Sequence, residues 1–347
     1  MKVLIVRLTS MGDVVQTLPA ISDAARAFPG ISFDWVVDED FADIPAWHTS
    51  VENVIPSALR RWRREAANAL RSGEIGSLLK KIRAHRYDAV VDLQGEMKSA
   101  MITRLAKGLR MGHDRRSVHE WGAHIVYKHR LHVPKGQHSI LRMRRLLADA
   151  LNYSFDENAV DYGIDRSRLL HPGLELPERF VVFIHSTSWK SKNWPEHYWR
   201  DLTLLASASG LKVLLPWGSA DERERSERIA GPEGIVLPDL SIAQKASIIA
   251  RADAVVGLDT GLSHIAAALD IPGISLYGAT DPLLVGATGK NQINIASGFK
   301  CVRCHQTTCT FPEPSNFKPA CFVEITPERV WAHLESLSDY FVHSSAM

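Results

Sequence analysis

Short apolar runs rich in β-branched residues alternate along this chain with segments of helical periodicity. Strands separated by helices fold into parallel sheets built from βαβ units, so the pattern predicts an α/β protein. The predicted strands are Val3–Leu8, Phe33–Val37, Ala89–Leu93, Phe180–His185, Val213–Pro216, Ala254–Leu258 and Ile274–Tyr277. The predicted helices are Val14–Ala27, Ser77–Ala84, Met97–Lys107, Glu196–Ala208 and Ser241–Ala250.

The alternation is interrupted at residues 150–178, which are polar, contain Pro and Gly, and lack a clear period. A chain of 347 residues is long enough for two domains of roughly 100–200 residues each. We expect two Rossmann-like βαβ domains that face each other across a cleft. The expected parts are an N-terminal domain at 1–155, a linker at 156–178, a C-terminal domain at 179–325, and a C-terminal helix or tail at 326–347.

The net charge of +2 conceals an asymmetry between the two halves. Residues 1–150 hold 24 Lys and Arg against 16 Asp and Glu, whereas residues 151–347 hold 17 against 23. A positive N-terminal half favours an anionic partner. Because no nucleic-acid-binding motif is present, a phosphorylated or carboxylated lipid headgroup is the preferred partner and nucleic acid is not. No obligate protein partner is evident.

The first apolar run ends at Arg7 after only four residues, Val3–Val6. This run is too short for the core of a signal peptide and is typical of a buried strand. No uninterrupted apolar stretch approaches the roughly 18–20 residues that a spanning helix requires. The sequence therefore predicts a cytoplasmic protein.

The first strand leads into Ser10-Met11-Gly12-Asp13 and then into a predicted helix at Val14. Gly12 would permit a tight turn and the close approach of a ligand. Asp13 has two interpretations, as the N-cap of the helix or as a catalytic carboxylate at the carboxyl end of a strand. Spacing alone does not separate them. No G-x-G-x-x-G dinucleotide fingerprint follows this strand.

The strand at Ala254–Leu258 leads into Asp259-Thr260-Gly261-Leu262-Ser263-His264. The start of a helix presents free backbone N–H groups, which bind anions such as phosphate. Asp259 or Thr260 could reach ribose or phosphate oxygens, and an ordinary capped helix is the alternative.

Two further loops would converge on the same face of the C-terminal domain. The loop after His185 supplies hydroxyls at Thr187 and Ser188 and a cation at Lys192, which suit a diphosphate. Trp217 follows another strand and could pack near a nucleobase, or it could be an ordinary core residue.

Arg60-Arg61-Trp62-Arg63-Arg64 places four guanidinium groups around one Trp. Arginine binds phosphate and carboxylate groups in a bidentate manner, so this segment predicts an anionic-ligand site, with a solvated surface as the alternative. Asp38-Glu39-Asp40 is similar to a D-x-D metal motif, but we expect no catalytic metal there.

Four cysteines lie close together at Cys301, Cys304, Cys309 and Cys321, with the spacing C-x2-C-x4-C-x11-C. In a reducing compartment such a cluster is compatible with a structural zinc site or with free thiols, and less so with disulfides.

Taken together, these motifs resemble the ADP-heptose:lipopolysaccharide heptosyltransferases, type I more closely than type II. The likeness extends in order through about residue 295, and only the four-cysteine segment departs from the type I pattern. The matching segments are Ser10–Asp13, Phe33–Val37, Ile55–Arg63, Asp92–Gly95 with Lys98–Ala100, Lys192 with Trp194-Pro195, Asp259–His264 and Tyr277–Pro282.

The resemblance implies a GT-B fold and an inverting transfer of L-glycero-D-manno-heptose from ADP-heptose, with no metal or other cofactor required. The implied acceptor is the first 3-deoxy-D-manno-octulosonic acid (Kdo) of Kdo2-lipid A, at the cytoplasmic face of the inner membrane. Asp13 would be the catalytic base. The implied acceptor-binding residues are Ser10, Gly12, Arg60, Arg61, Arg63, Arg64, Gln94 and Lys98. The implied donor-binding residues are Thr187, Ser188, Lys192, Trp217, Asp259, Thr260, Gly261, Leu262 and His264.

Three alternatives to this function stay open at the level of sequence. One is a type II heptosyltransferase, which uses the same donor and a heptosylated acceptor. The second is a sugar-nucleotide epimerase of similar architecture, and the third is a binding module without catalysis.

Overall fold

The computed structural model describes the backbone of residues 1–344, and the side chains of these residues except 66, 67, 70 and 338–344. The chain folds into two compact units, Met1–Arg168 and Leu169–Met347. Each unit is built on one six-stranded parallel sheet. In the described part of the chain, no helix has the length and apolar character needed to cross a bilayer.

The sheet of the first unit has the strand order β3-β2-β1-β4-β5-β6, which is the order of a Rossmann fold. The strand order reverses between β1 and β4, so the loops that follow these two strands meet at the topological switch point. The strands are β1 Lys2–Val6, β2 Ser32–Asp38, β3 Val51–Ser57, β4 Arg86–Asp92, β5 Lys107–His113 and β6 His129–Leu131. The helices are α1 Met11–Ala27, α2 Asp43–Ala46, α3 Leu59–Trp62, α4 Ala66–Arg71, α5 Glu74–Ile82, α6 Met97–Leu105 and α7 Ser139–Leu151.

The sheet of the second unit has the order β12-β11-β10-β7-β8-β9, so the same topology recurs and its switch point lies between β7 and β10. The strands are β7 Phe180–Ile184, β8 Lys212–Leu215, β9 Gly234–Val236, β10 Ala254–Leu258, β11 Gly273–Tyr277 and β12 Gln292–Ala296. The helices are α8 Glu196–Ala208, α9 Ala220–Ala230, α10 Ile242–Ile249, α11 Gly261–Ala268, α12 Pro282–Val285 and α13 Pro327–Ser344.

Each sheet is buried against its helices. In the first unit α1 packs on α7, and the fully buried Arg144 of α7 donates to Asp23 of α1 at 2.6 Å. In the second unit the indoles of Trp194 and Trp199 pack edge to face at 5.0 Å. The Trp194 indole N–H donates to the Ile325 carbonyl at 2.8 Å, which fixes the chain just before α13.

The predicted α/β class and the predicted central strands are confirmed, whereas the outer strands β3, β5, β6, β9 and β12 were missed. These strands contain exposed and polar positions, as in Val51–Ser57, because they lie toward the edges of the sheets. They lack the continuous apolar run that marks a strand buried on both faces.

Candidate active site

The turn from β1 into α1 places Asp13 inside the helix, not at its cap. Helix α1 begins at Met11, with Ser10 as the N-cap. Asp13 is its third residue, and one carboxylate oxygen accepts from the Ser10 backbone N–H at 2.9 Å and from its hydroxyl at 2.8 Å. The sequence-based start at Val14 was therefore wrong, because Ser10 and Asp13 form a capping box one turn earlier. Gly12 accordingly lies in the first helical turn and not in the connecting turn.

The second carboxylate oxygen of Asp13 faces an arginine that the sequence analysis did not assign to the site. The Arg7 guanidinium lies 2.7 Å from Asp13 Oδ1 and also donates to the Leu93 carbonyl at 3.0 Å. Arg7 is only 6% exposed, whereas the Asp13 side chain is 35% exposed. The ion pair thus fixes the orientation of a carboxylate that solvent and a ligand can still reach.

The loop after β4 holds the Asp13 turn in place through Gln94. The Gln94 side-chain carbonyl accepts from the backbone N–H of Leu8 at 2.7 Å, and its amide donates to the Thr9 hydroxyl at 3.2 Å. The buried Asp92 shapes this loop by accepting from the backbone N–H groups of Gln94 and Gly95, both at 2.9 Å. Both the oxygen and the nitrogen of the Gln94 side-chain amide therefore help to hold this turn in place.

Lys98, at the start of α6, reaches the same turn. Its ammonium donates to the Thr9 hydroxyl at 3.0 Å and lies 2.9 Å from the Glu96 carboxylate. The structure therefore brings Ser10, Asp13, Gln94 and Lys98 together at the switch point of the first unit.

The arginine cluster lies farther along the chain and is largely paired with the acidic segment at 38–40. Arg61 forms a fork to Glu39, with both contacts at 3.0 Å, and a further contact to Glu74 at 2.8 Å. Its hydrogen bond and that of Trp62 lower the pKa of Glu74 to about 2. Arg60 approaches Asp40 at 3.4 Å.

Arg63 and Arg64 are exposed, and their guanidinium groups form no ion pair with any side chain that the structure describes. The pairing of Arg60 and Arg61 leaves Arg63 and Arg64 as the guanidinium groups most available to a ligand. The acidic segment at 38–40 and the basic segment at 60–61 therefore neutralise each other, a pairing that the sequence alone did not predict.

In the second unit, a buried carboxylate at the end of β10 forms the centre of a polar cluster. Asp259 is 8% exposed, and its Oδ2 accepts from Lys192 and from the Thr280 hydroxyl, both at 2.7 Å. His264 lies 3.7 Å from the other oxygen. Burial opposes ionisation, but the His264 hydrogen bond and the Lys192 charge outweigh it and hold the pKa of Asp259 below its usual range.

Asp259 also fixes the direction of the Lys192 side chain. The ammonium lies 4.4 Å from the centroid of the Trp189 ring, so it is held between a carboxylate and an aromatic face. An ammonium has three N–H donors, and the pair with Asp259 uses one of them. Lys192 is 15% exposed at its side chain, which leaves it accessible to an anion.

Helix α11 begins beside this cluster, with Thr260 as its N-cap and Gly261 and Leu262 as its first two residues. Free N–H groups at the start of a helix and the helix dipole both favour a bound anion. A side chain at Gly257 would collide with the Ser263 hydroxyl, which donates to the Leu258 carbonyl at 2.7 Å. The close packing of this glycine therefore sets how near α11 lies to the end of β10.

The remaining predicted donor residues follow neighbouring strands. Thr187 and Ser188 lie in the loop after β7, where the Thr187 backbone N–H donates to Asn193 at 3.1 Å. Trp217 follows β8, is half-buried, and donates its indole N–H to the Leu237 carbonyl at 2.6 Å. The Glu222 carboxylate accepts from the Gly218 backbone N–H at 2.6 Å, so this acidic side chain lies next to the loop that carries Trp217. Glu222 is not among the donor residues predicted from the sequence, because it belongs to the charged, weakly apolar helix α9.

The cysteine-rich segment packs against two loops of this site. The backbone N–H groups of Arg303 and His305 donate to the carbonyls of Gly278 and Ala279, at 2.8 and 2.9 Å. Ser191, next to Lys192, donates its backbone N–H to the Thr307 carbonyl at 3.1 Å. The segment thus braces the loops that carry Lys192 and Thr280.

The four cysteines are free in the structure, with Cys304 exposed and Cys321 buried. Across the described residues, no three His, Cys, Asp or Glu side chains are arranged to hold a metal ion. The structural zinc site therefore stays a prediction of the sequence.

Two Rossmann-order sheets, one with an accessible carboxylate at its switch point and the other with a lysine and a helix start suited to a diphosphate, are the architecture of the GT-B class of glycosyltransferases. The chain belongs to glycosyltransferase family 9 (heptosyltransferase), whose family model matches residues 75–314. The predicted GT-B fold, glycosyltransferase activity and resemblance to heptosyltransferase I are confirmed.

Relatives of known function support this placement. The chain is 46% identical to lipopolysaccharide heptosyltransferase 1 of Pseudomonas aeruginosa, over 97% of this chain and 98% of that protein. It is also 46% identical to the Escherichia coli K12 enzyme of that name, over 84% of this chain and 92% of that protein. The structure of E. coli heptosyltransferase WaaC with ADP superposes with a TM-score of 0.85 at 41% identity, covering 97% of this chain and all of that one.

Proposed function

We propose that this chain transfers heptose from ADP-heptose to the first Kdo of Kdo2-lipid A, in the synthesis of the lipopolysaccharide inner core. The observation that carries the proposal is the Asp13 carboxylate, fixed by Arg7 at the switch point of the first unit and still accessible. A relative of 40% identity was solved with ADP-2-deoxy-2-fluoro heptose, which supports the donor. A type 2 relative from Salmonella typhimurium is only 24% identical, against 46% for type 1, which favours the type 1 acceptor.

The reaction joins an acceptor hydroxyl to the anomeric carbon of heptose and breaks the bond from that carbon to the diphosphate oxygen. Asp13 would accept the hydroxyl proton as the new bond forms, which is general-base catalysis. Attack from the face opposite the leaving group inverts the configuration at the anomeric carbon. The exposed part of the Asp13 carboxylate is the part available for this proton transfer.

The leaving ADP gains negative charge in the transition state, and fixed donors stabilise such charge. Lys192 would contact the diphosphate with an N–H donor that Asp259 does not use, and the start of α11 would supply backbone N–H groups. The Glu222 and Trp217 region would hold the nucleoside. These assignments place the donor in the second unit and the acceptor in the first.

On the acceptor side, the carboxylate and phosphates of Kdo2-lipid A match the excess of positive charge in residues 1–150. Arg63, Arg64 and Lys98 would contact these groups. The enzyme would act at the inner face of the cytoplasmic membrane, where such a lipid is available.

Incubation with ADP-heptose and a panel of acceptors tests the proposal. We expect ADP release only with a Kdo-terminated acceptor, and a product whose anomeric configuration is opposite to that of the donor. Release only with a heptosylated acceptor would support the type II alternative. Conversion of ADP-heptose without transfer would support an epimerase, and binding of ADP-heptose without turnover would support a binding module.

A further inference from the structure

Four large apolar side chains of the first unit are exposed at neighbouring positions. Met97 and Met101 of α6 are 40% and 64% exposed, and Trp121 and Ile125 are 70% and 63% exposed. We call these four residues the α6 patch. Isolated exposed apolar residues are ordinary, but a contiguous group of them marks an interaction surface.

The patch is continuous across two segments of chain. The Met97 sulfur lies 3.3 Å from the position that a Cβ on Gly122 would occupy, so Met97 lies directly over the residue after Trp121. The Met97 backbone N–H donates to the Glu120 carboxylate at 2.8 Å, which holds the start of α6 against this segment. The Ile125 backbone N–H donates to the Gly122 carbonyl at 3.1 Å. Met101 follows Met97 by one helical turn, on the same face of α6.

Cations adjoin these apolar residues along the chain. Arg104 continues the face of Met97 and Met101, seven residues after Met97, and Lys98 is adjacent to Met97 in sequence. Lys128 and Arg130 follow Ile125 and are both exposed. Of the acids in residues 97–130, Asp114 accepts from Ser117 and His132, and Glu120 accepts from Met97. The acid just before this range, Glu96, pairs with Lys98 at 2.9 Å, so residues 96–130 hold eight Lys and Arg against three acids.

We propose that the α6 patch docks the protein on the surface of an anionic lipid bilayer. Methionine, isoleucine and tryptophan side chains insert at the boundary between headgroups and acyl chains, and lysine and arginine attract anionic headgroups. A second copy of the chain fits less well, because two such patches would bring two sets of like charges together. The excess of cations therefore selects an anionic lipid surface as the occupant.

The α6 patch is also linked structurally to the turn that carries Asp13. Lys98 stands between the two, adjacent to Met97 in sequence and bonded to the Thr9 hydroxyl at 3.0 Å. A bilayer at the patch would present a lipid-linked acceptor next to this turn. This consequence rests on the proposed function, whereas the docking itself does not.

Co-sedimentation of the full chain with lipid vesicles tests the proposal. We expect binding to vesicles of phosphatidylcholine mixed with phosphatidylglycerol, weak binding to pure phosphatidylcholine, and release as salt is raised. Replacing both Trp121→Ser and Ile125→Ser should lower the bound fraction on anionic vesicles by about tenfold, because the apolar anchors are lost. The matched control is Leu204→Ser, which removes a 57% exposed leucine from α8 in the other unit and should leave binding unchanged.

Several outcomes would overturn the docking surface. One is that the wild-type protein does not bind anionic vesicles. Another is that it binds neutral and anionic vesicles equally. A third is that the double variant binds anionic vesicles as well as wild type does. If the wild-type protein is a dimer and the double variant is a monomer, the patch is instead an interface with a second copy of the chain. Light scattering and thermal melting monitor assembly and folding of each variant. Transfer to a deacylated, water-soluble acceptor should be the same in the double variant and in wild type. If wild type shows no such transfer, the proposed function fails while the vesicle result stands.

Discussion

The guanidinium of Arg7, the residue that follows strand β1, and the carboxylate of Asp13, in the first turn of helix α1, form a 2.7 Å ion pair. Ser10 occupies the other carboxylate oxygen with its N–H and hydroxyl. Since a carboxylate offers about four lone-pair positions, Asp13 can still accept a further hydrogen bond. The arrangement orients the proposed base before substrate would arrive, and it also means that Asp13 contributes to local structure.

Replacing Asp13 by asparagine separates catalysis from helix capping. Asparagine keeps an oxygen to accept from Ser10 but cannot take up the proton, so we expect kcat to fall by roughly 10²–10⁴. The melting temperature should fall modestly, because Arg7 loses its charged partner. Binding of ADP, measured by calorimetry, is the control and should be unchanged. A folded Asp13→Asn protein with near-normal turnover would show that the carboxylate is only structural.

Lys192→Ala tests the donor site. Loss of a charge-assisted hydrogen bond should weaken ADP binding by about 1.5–3 kcal/mol, measured by calorimetric titration. Lys190→Ala is the matched control, because it removes an exposed lysine from the same loop. Equal affinities for the two variants, or a loss in both, would count against a specific contact from Lys192.

The arginine cluster gives a prediction that distinguishes its members. Arg63→Ala and Arg64→Ala should raise the acceptor KM by about tenfold, since each removes a charge-assisted contact to the acceptor. Arg61→Ala should act mainly by releasing Glu39 and Glu74, which its guanidinium now bridges. Steady-state kinetics with both substrates varied is the measurement. An effect confined to the donor KM would contradict the acceptor assignment.

The cysteines permit a direct test of the zinc hypothesis. That hypothesis predicts about one zinc per chain by elemental analysis, and thiols that react only after chelation. The free thiols of the structure predict that the exposed Cys304 reacts first. Cys321 should react last, because burial raises its pKa to about 12. Metal analysis with thiol titration of the native protein decides between the two.

Three buried histidines make the stability of the fold depend on pH. Burial lowers the pKa of His48 to about 4, and that of His113 and His185 to about 3. The unfolded chain, with histidine pKa values near 6.5, binds these protons first, so the free energy of unfolding falls as pH drops below about 6.5. We expect the melting temperature to be highest above pH 7 and to decline toward pH 4. His48→Asn should reduce this slope, and an unchanged slope in that variant would contradict the assignment.

The sequence by itself determined the central architecture. The buried strands β1, β2, β4, β7, β8, β10 and β11 are short apolar runs, and their order with the helices between them specifies parallel sheets. Asp13, Lys192 and Asp259 were also predicted from the sequence as site residues, because loops at the carboxyl ends of parallel strands meet at one edge of a sheet. The resemblance to the heptosyltransferases supplied their roles.

Tertiary structure alone decided which of these side chains pair. Arg7 meets Asp13 through an adjacent turn, but Lys192 meets Asp259 across 67 residues, and Gln94 meets Leu8 across 86. Glu39 and Arg61 lie 22 residues apart, and their pairing changed the interpretation of the whole arginine cluster. Local patterns record burial and periodicity, which act over a few residues. Hydrogen bonds and ion pairs depend on distances that only the folded sheets establish, so the sequence could name the groups but not their partners.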